Sequence, residues 1–363
     1  MKRDNIHCNL RHVDRYDKTY NFLISAREWG KSTAVVTKMY KAAVHKHMPG
    51  LVLRSQIVDI TEAYVESFAD TINQFLPPNK QIKLYYNKGA IKDGVIDVFM
   101  DKDRKKQLLR IVALSIPKTR MKSLTLPNGA SMCLYDEYIC DINAGEKYVK
   151  DMINKFKDCY ATYNRWTVKR TGKRMKVYFC ANPYTVFNPF HMWLNIPLDK
   201  IKKGNIILGD DYYLECGKLS DELIAFVKRT NPLYNDENDE FSRYAFGGES
   251  VEDKRFQILE KRPENYYLRF IFKIQKKYIY VWQWNGSSDY RATKFWCEYR
   301  DDLIKTNVVP FAVDFSNLTS GTNLWLPEYS SVCIYMRYAI ARRDVMFDNI
   351  GTGYLVEEIF KLL

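Results

Sequence analysis

Short apolar runs alternate with longer amphipathic stretches through the first half of the chain. Short, mainly apolar runs are typical of strands buried on both faces, whereas apolar positions three or four residues apart indicate a helix. The predicted strands lie at 20–24, 51–53, 132–135 and 177–180. The predicted helices lie at 31–46 and 60–75. Because strands alternate with helices, the pattern predicts an α/β domain with a mostly parallel sheet over residues 1–201.

The pattern changes after residue 201. Polar residues and Gly or Pro breaks are frequent between 202 and 250, which predicts a short linker region. From residue 251 onward, the pattern predicts strands separated by turns, followed by helices near the end. The strands are predicted at 266–274, 278–284 and 291–297, and the helices at 335–342 and 354–362. The sequence therefore predicts a second, smaller α+β domain at 251–363.

The charge balance narrows the range of partners. The 363 residues include 56 Lys and Arg against 43 Asp and Glu, which gives a formal net charge of +13. A basic excess of this size favours polyanionic partners, because cationic side chains neutralise phosphates and release counterions. A basic protein without such a partner would show the same balance.

Other compositional features exclude several classes of protein. Eight cysteines occur and none forms a C-x-x-C pair, so we expect neither a zinc site nor a disulfide framework. No apolar run approaches the ~18 residues that a membrane-spanning helix needs. The start of the chain carries no evident signal peptide. We therefore expect a soluble intracellular protein with no membrane partner.

The segment after the first predicted strand has the pattern of a phosphate-binding loop. Ser25–Ser32 matches G-x-x-x-x-G-K-[ST], with Ser25 in place of the first Gly. Backbone N–H groups near Gly30 and the N-terminus of the following helix would hold phosphate oxygens. Lys31 would reach the β- and γ-phosphates, and the Ser32 hydroxyl would ligate Mg²⁺. The predicted nucleotide-binding residues are Ser25, Ala26, Arg27, Glu28, Trp29, Gly30, Lys31, Ser32 and Thr33.

Two adjacent carboxylates, Asp136 and Glu137, follow another predicted strand. Asp136 would hold Mg²⁺, while Glu137 would orient and deprotonate the water that attacks ATP. Two acids at a strand end are common without function, and so is a helix that begins with Lys and Ser. Because the carboxyl ends of parallel strands meet at one edge of the sheet, the two motifs together favour an ATP site.

Asn182 and Arg165 are weaker candidates for the same site. Asn182 follows the strand at 177–180 and suits a sensor of the γ-phosphate, although Asn-Pro also forms turns. Arg165 begins a basic stretch and is a candidate for an arginine that a neighbouring subunit supplies to the transition state. The alternative interpretation of this stretch is a solvated basic face.

A basic loop, Lys118–Ser123, precedes the strand that ends at Asp136. If the protein closes into a ring, Arg120 and Lys122 of this loop could face the pore and grip DNA phosphates. Arg54, at the end of the second strand, is a similar candidate. Basic surface residues are also common without such a role.

The motifs also resemble a known family in their order and spacing. The matching residues are Tyr16-Asp17, Asn21 to Arg27, Gly30-Lys31-Ser32, Tyr135-Asp136-Glu137, Ala181-Asn182-Pro183, Asn188-Pro189-Phe190 and Glu260-Lys261-Arg262. This set is similar to that of the DNA-packaging ATPases of small tailed phages of the phi-29 type, which are terminase-like P-loop proteins of the ASCE superfamily. The resemblance implies a homomeric ring, typically a pentamer, that hydrolyses ATP with Mg²⁺ and pumps double-stranded DNA into a viral prohead. It further implies a portal partner at the prohead vertex in the host cytoplasm, and a packaging RNA bridges motor and portal in the best-known members.

The resemblance also implies roles for individual residues. Lys31 and Ser32 match the nucleotide-binding residues, and Asp136 and Glu137 match the magnesium and catalytic residues. Arg165 is the match to a catalytic arginine that acts in a neighbouring subunit, and Lys122 is the match to a DNA-gripping lysine. Ser25 departs from the family pattern, since the Cβ of Ser makes a strained backbone angle harder to adopt than in Gly.

The C-terminal domain calls for a separate interpretation. Larger packaging motors carry a nuclease domain of ribonuclease-H-like fold with an essential acid on its first strand. The strand at 266–274 has no acid, so we expect this fold without nuclease activity and with a role in binding nucleic acid. A helicase-like or other nucleic-acid-remodelling ATPase is the alternative function, and a non-enzymatic scaffold with a degenerate P-loop is a third. The absence of a second Walker pair disfavours a helicase, and the presence of all four ATP-site residues disfavours a scaffold.

Overall fold

The chain forms two compact units, residues 1–251 and 252–363. The computed structural model describes residues 7–141, 146, 148–184, 188–230, 256–274, 277–284, 286, 293–313, 318–325 and 331–361. Among these residues, no helix combines the length and the apolar character that crossing a membrane requires.

The first unit is built around an eight-stranded sheet. Its strands are β1 (Tyr20–Ile24), β2 (Gly50–Arg54), β3 (Val95–Phe99), β4 (Gln107–Ala113), β5 (Cys133–Asp136), β6 (Val177–Ala181), β7 (Ile206–Leu208) and β8 (Tyr212–Cys216). Their order across the sheet is β3-β4-β2-β5-β6-β1-β8-β7. The six central strands are parallel, and β3 and β7 are antiparallel edge strands. The prediction of an α/β fold with a mostly parallel sheet is confirmed.

The central strands are continuous apolar runs because both faces of the sheet are covered. Every residue of β2 and of β6 is buried, which leaves no solvent face to require alternating polar residues. Phe22 on β1 stacks on Phe179 of β6, with ring centroids 4.4 Å apart. Such contacts stabilise the pairing of neighbouring strands. Because β1 and β6 are parallel, their carboxyl ends lie at the same edge of the sheet.

Helices connect these strands. They are α1 (Leu10–Arg15), α2 (Lys31–Lys46), α3 (Glu62–Asn73), α4 (Lys118–Ser123), α5 (Met152–Thr171), α6 (Pro189–Trp193) and α7 (Asp221–Thr230). On α2, Val35, Met39 and Ala43 form a buried stripe four residues apart, which is the helical periodicity that the sequence shows. α2 packs on β2, β4, β5 and β6, and its first turn directly follows the loop that leaves β1.

The predicted linker region includes part of the sheet. β8 pairs with β1 from Tyr20↔Tyr212 to Ile24↔Cys216, and β7 pairs with β8. The linker prediction is therefore wrong for residues 206–216, whereas residues 231–250 lie outside the described residues. The error arises because local polarity cannot reveal that β1 needs a second neighbour to satisfy its backbone hydrogen bonds.

The second unit contains a seven-stranded sheet. Its strands are β9 (Gln257–Ile258), β10 (Tyr266–Ile274), β11 (Lys277–Trp284), β12 (Phe295–Arg300), β13 (Phe311–Ala312), β14 (Asn323–Leu324) and β15 (Val345–Phe347), and its helices are α8 (Ser331–Arg342) and α9 (Ile350–Lys361). The strand order is β14-β13-β10-β11-β12-β15-β9. β10, β11 and β12 form an antiparallel meander, which confirms the strands predicted at 266–274 and 278–284 and overlaps the strand predicted at 291–297. β12 begins at Phe295, and residues 291–292 lie outside the described residues.

The core of the second unit is aromatic. Phe272 of β10, Trp325 and Phe360 of α9 meet with ring centroids 4.8 to 5.8 Å apart. Edge-to-face contacts of this kind are favourable beyond the apolar area that they bury. The aromatic residues that the sequence places in this region therefore contribute directly to its core.

Candidate active site

The loop between β1 and α2 has the backbone of a phosphate-binding loop. Gly30, the N-cap of α2, has a φ of +75°, a left-handed conformation that favours Gly. Trp29 is buried and packs so closely on Gly217 that a Cβ at position 217 would lie 2.7 Å from the Trp29 ring. The Trp29 ring thus packs one side of the loop against Gly217, while Gly30 on the other side lines an open cavity.

Lys31 folds back onto this loop. Its Nζ donates hydrogen bonds to the carbonyl oxygens of Ser25 and Ala26, at 2.9 and 3.1 Å, and to the Ser25 hydroxyl at 3.0 Å. The Asn182 side-chain oxygen lies 3.4 Å from the same Nζ. Burial disfavours the charged form and lowers the pKa of Lys31 to about 8.

Ser25 does not have the strained backbone that its Cβ would penalise. Among the described residues, the non-glycine positions with left-handed φ include Glu28 in this loop but not Ser25. Its hydroxyl instead accepts a hydrogen bond from Lys31 and donates one to the Ala26 carbonyl at 2.9 Å. Ser in place of the first Gly is therefore compatible with this loop and adds a partner for the lysine.

Asp136 at the end of β5 faces the first turn of α2. The Ser32 hydroxyl donates a hydrogen bond to Asp136 Oδ1 at 2.7 Å, and the Tyr64 hydroxyl donates one to Oδ2 at 3.1 Å. Burial raises the pKa of Asp136, and the Ser32 hydrogen bond opposes this shift. The two motifs, 104 positions apart in sequence, therefore meet in one partly buried oxygen pair.

Glu137 projects beside this pair and is held by Arg54. Glu137 Oε2 lies 2.7 Å from Arg54 Nη2, and Asp136 Oδ2 lies 3.6 Å from Arg54 Nη1. The Glu137 side chain is 55% exposed, whereas that of Arg54 is 10% exposed. The guanidinium also lies over the Tyr64 ring, 4.9 Å from its centroid. Arg54 is therefore part of the site, and its predicted DNA-contacting role is corrected because the side chain is buried against two carboxylates.

Sequence reasoning missed the roles of Arg54 and Tyr64 in this site. Strand register places Leu53 of β2 opposite Tyr135 of β5, so Arg54 and Asp136 are next to one another at the sheet edge. A basic residue at the end of β2 would have indicated an ion pair with Asp136 or Glu137 if the pairing of β2 with β5 had been known. Tyr64 carries no such signal, since it reaches the site from α3.

The loop after β1, the first turn of α2 and the two carboxylates line an open cavity of about 720 Å³. This size is typical of small-molecule sites. Of the predicted nucleotide-binding residues, those that line it are Arg27, Glu28, Gly30, Lys31, Ser32 and Thr33, together with Asp136, Glu137 and Asn182. Ser25, Ala26 and Trp29 are buried and do not line this cavity. Unpredicted lining residues include His7, Cys8, Gln74 and Phe75. Among the described residues, no group of three or more His, Cys, Asp and Glu side chains is arranged to hold a metal.

The remaining candidates lie outside this cavity. Arg165 is exposed on α5, two residues before Thr167, whose hydroxyl hydrogen-bonds Ala130 ahead of β5. Arg165 is thus nearer the amino end of β5 than Asp136 is, and it does not line the cavity.

The predicted basic loop is a helix. Lys118–Ser123 forms α4, with Met121 buried beneath it. Arg120 lies 3.8 Å from Asp93, and Lys122 lies 3.8 Å from Asp158. The loop prediction is corrected, because burial of Met121 favours a helical turn, and both cations have acidic partners within the chain.

Comparison with known proteins supports the fold. No protein-family model matches the chain, and no curated protein matches it by sequence. The structure is similar to that of "The bacteriophage Phi-29 viral genome packaging motor assembly", with a TM-score of 0.64, 18% identity and coverage of 98% of this chain and 99% of the other. It is also similar to "The Phi-28 gp11 DNA packaging Motor", with a TM-score of 0.62, 14% identity and coverage of 98% and 97%. At these identities the likeness shows a shared fold along nearly the whole chain.

Proposed function

We propose that this chain, which shares its fold with phage DNA-packaging motors, is an ATPase that translocates double-stranded DNA into a viral prohead. The observation that carries this proposal is the 2.7 Å hydrogen bond between Ser32 Oγ and Asp136 Oδ1. It joins the phosphate-binding loop to the acidic end of β5, as the binding of a nucleotide and its metal requires.

The proposed cofactor of the site is Mg²⁺, held by Ser32 and Asp136. Both side chains offer oxygen, the ligand atom that Mg²⁺ prefers, and they lie next to one another in a partly buried position. The raised pKa of Asp136 supports this fit, because a neighbouring cation would stabilise the buried carboxylate. When bound, Mg²⁺ would neutralise charge on the phosphates of ATP.

ATP binding requires Lys31 to leave the loop. Its three hydrogen bonds to Ser25 and Ala26 satisfy the ammonium without a ligand. Phosphate oxygens carry full negative charge and therefore replace these neutral acceptors favourably. Backbone N–H groups around Gly30 and the N-terminus of α2 hold the remaining phosphate charge.

Hydrolysis requires Glu137 to leave Arg54. A carboxylate held in a 2.7 Å ion pair is not free to orient water. In the proposed cycle, Glu137 swings from the guanidinium toward the γ-phosphate, orients the attacking water and accepts its proton. Arg54 retains Asp136 as its partner, so the guanidinium does not become an unpaired buried charge.

The coupling to DNA involves the outlying residues. We assign Asn182, 3.4 Å from Lys31, to sensing the γ-phosphate, and exposed Arg165 to the site of a neighbouring subunit in a homomeric ring. Arg120 and Lys122 on α4 would exchange their acidic partners for DNA phosphates. The second unit would bind nucleic acid on a ribonuclease-H-like fold without nuclease activity. The ring, a pentamer with a portal and a packaging RNA, would act at the prohead vertex in the host cytoplasm.

The decisive experiment measures ATP turnover with and without double-stranded DNA, for wild type and Glu137→Gln. We expect DNA-stimulated turnover in the wild type and a loss of about 10²-fold or more in the variant, because a general base contributes about that much. ATP binding should persist in Glu137→Gln, since the phosphate contacts are intact. Stimulation by single strands alone would indicate a helicase-like enzyme, and absence of turnover in the wild type would leave only a scaffold.

A further inference from the structure

The backbone of Glu137 is held in a left-handed conformation, with a φ of +52°. A residue with a Cβ adopts this conformation only where the surrounding structure imposes it, and such positions cluster at functional sites. The Glu137 side chain is half exposed, and Arg54 holds only its carboxylate end. The contacts of the next residue constrain the Glu137 backbone more directly.

Tyr138 is the next residue and is completely buried. Its N–H donates to the Cys180 carbonyl at 3.4 Å, and its own carbonyl accepts a hydrogen bond from Asn188 Nδ2 at 3.0 Å. Its hydroxyl lies 2.8 Å from His191 Nε2. Backbone and side chain of Tyr138 are thus both tied to β6 and α6, and we name Tyr138, Asn188 and His191 the Tyr138 anchor.

Asn188 joins two elements with its two side-chain atoms. Its Oδ1 accepts a hydrogen bond from the Phe190 N–H at 2.8 Å and so caps α6, while Nδ2 donates to the Tyr138 carbonyl and to the Tyr148 hydroxyl at 3.2 Å. Capping of α6 needs only an acceptor, which Asp or Ser also provides. The amide nitrogen serves the backbone beside Glu137.

The Tyr138 anchor consists entirely of polar groups without solvent exposure. Burial of polar groups costs free energy unless they are hydrogen-bonded, and a bonded network restricts its members to one geometry. A general base must be placed to within a fraction of an ångström of the water that it activates, so its rate of catalysis benefits most from such restriction.

We infer that Asn188 and His191 are positioning residues that hold the backbone of Glu137, through Tyr138, where its side chain can turn from Arg54 to the water that it activates. The inference rests on the proposed ATPase function.

The sharpest test is Asn188→Asp, because Asp retains the oxygen that caps α6 but cannot donate a hydrogen bond to the Tyr138 carbonyl. Asn164→Asp is the matched control: Asn164 Oδ1 accepts a hydrogen bond from the Met175 N–H at 2.8 Å, and Asp keeps that acceptor. Steady-state turnover, the dissociation constant for a fluorescent ATP analogue and the melting temperature are measured for each. We expect kcat of Asn188→Asp to fall about tenfold to a hundredfold with nucleotide affinity within about twofold, because misplacement near the reacting atoms lowers rate rather than binding. Asn164→Asp should match the wild type in kcat and affinity.

Two further variants keep the test decisive if a buried Asp prevents folding. Asn188→Ser retains a neutral cap but lacks the amide nitrogen that reaches the Tyr138 carbonyl, and Tyr138→Phe removes only the hydroxyl that meets His191; each should lower kcat and leave affinity unchanged. Wild-type kcat in folded Asn188→Asp, or in folded Asn188→Ser and Tyr138→Phe, would overturn the inference. Equal losses of kcat and of nucleotide affinity would also overturn it, because they indicate a structural role alone. A wild type without turnover would instead refute the proposed function, which separates the two failures.

Discussion

Nucleotide affinity should depend on pH through Lys31. Burial lowers the pKa of this lysine to about 8, from an ordinary value of 10.5. Only the cationic form attracts phosphate oxygens, so raising the pH through about 8 removes the binding-competent form of the free protein. At pH 7 about nine-tenths of the Lys31 side chains are charged, and at pH 9 about one-tenth are charged. The association constant for ATP should therefore fall about tenfold between these values, which corresponds to about 1.4 kcal/mol.

Equilibrium titration with a fluorescent ATP analogue at constant ionic strength measures this dependence. ATP holds the Lys31 proton once bound, since phosphate stabilises the ammonium. The Cys180 thiol also lines the cavity, but burial raises its pKa well above the ordinary value, so it stays neutral over this range. Lys31→Met is the control, in which affinity should be weak and independent of pH. Equal wild-type affinities at pH 7 and pH 9, or the same pH dependence in Lys31→Met, would refute the reasoning.

Three further predictions concern other parts of the first unit. Gly129→Ala should destabilise the protein by about 2 kcal/mol or more in thermal unfolding, because the φ of Gly129 is +64° and a Cβ there would lie 2.9 Å from the backbone of α5. Gly172 has a φ of +69° but open space around it, so Gly172→Ala should destabilise the protein by only about 1 kcal/mol. Equal losses of stability in the two variants would contradict this account. Arg54→Ala should raise the Mg²⁺ concentration needed for ATP turnover, because Asp136 loses its neighbouring cation and protonates more readily; an unchanged Mg²⁺ titration would argue against it. Lys122→Ala should weaken binding to double-stranded DNA and reduce the slope of log affinity against log salt by about one, whereas an unchanged slope would place Lys122 away from DNA.

The sequence alone determined the local parts of this protein. Two patterns could be recognised from adjacent residues alone: the P-loop pattern at 25–32 and the acids that follow the strand at 132–135. A strand, a loop and a helix that carry Gly30 and Lys31 in this spacing are typical of phosphate binding. The alternation of short apolar runs with amphipathic helices likewise predicted the parallel sheet, because parallel strands are buried on both faces and must be apolar throughout.

Only the tertiary structure decided which of these parts touch. The pairing of β2 with β5 brought Arg54 from a presumed DNA-facing surface to Asp136 and Glu137. The pairing of β8 with β1 extended the sheet into a predicted linker. The Tyr138 anchor links residues 50 positions apart, between Tyr138 and Asn188. Hydrophobic periodicity reports which face of an element is buried but not which element covers it, and strand order is settled by packing and backbone pairing over the whole sheet.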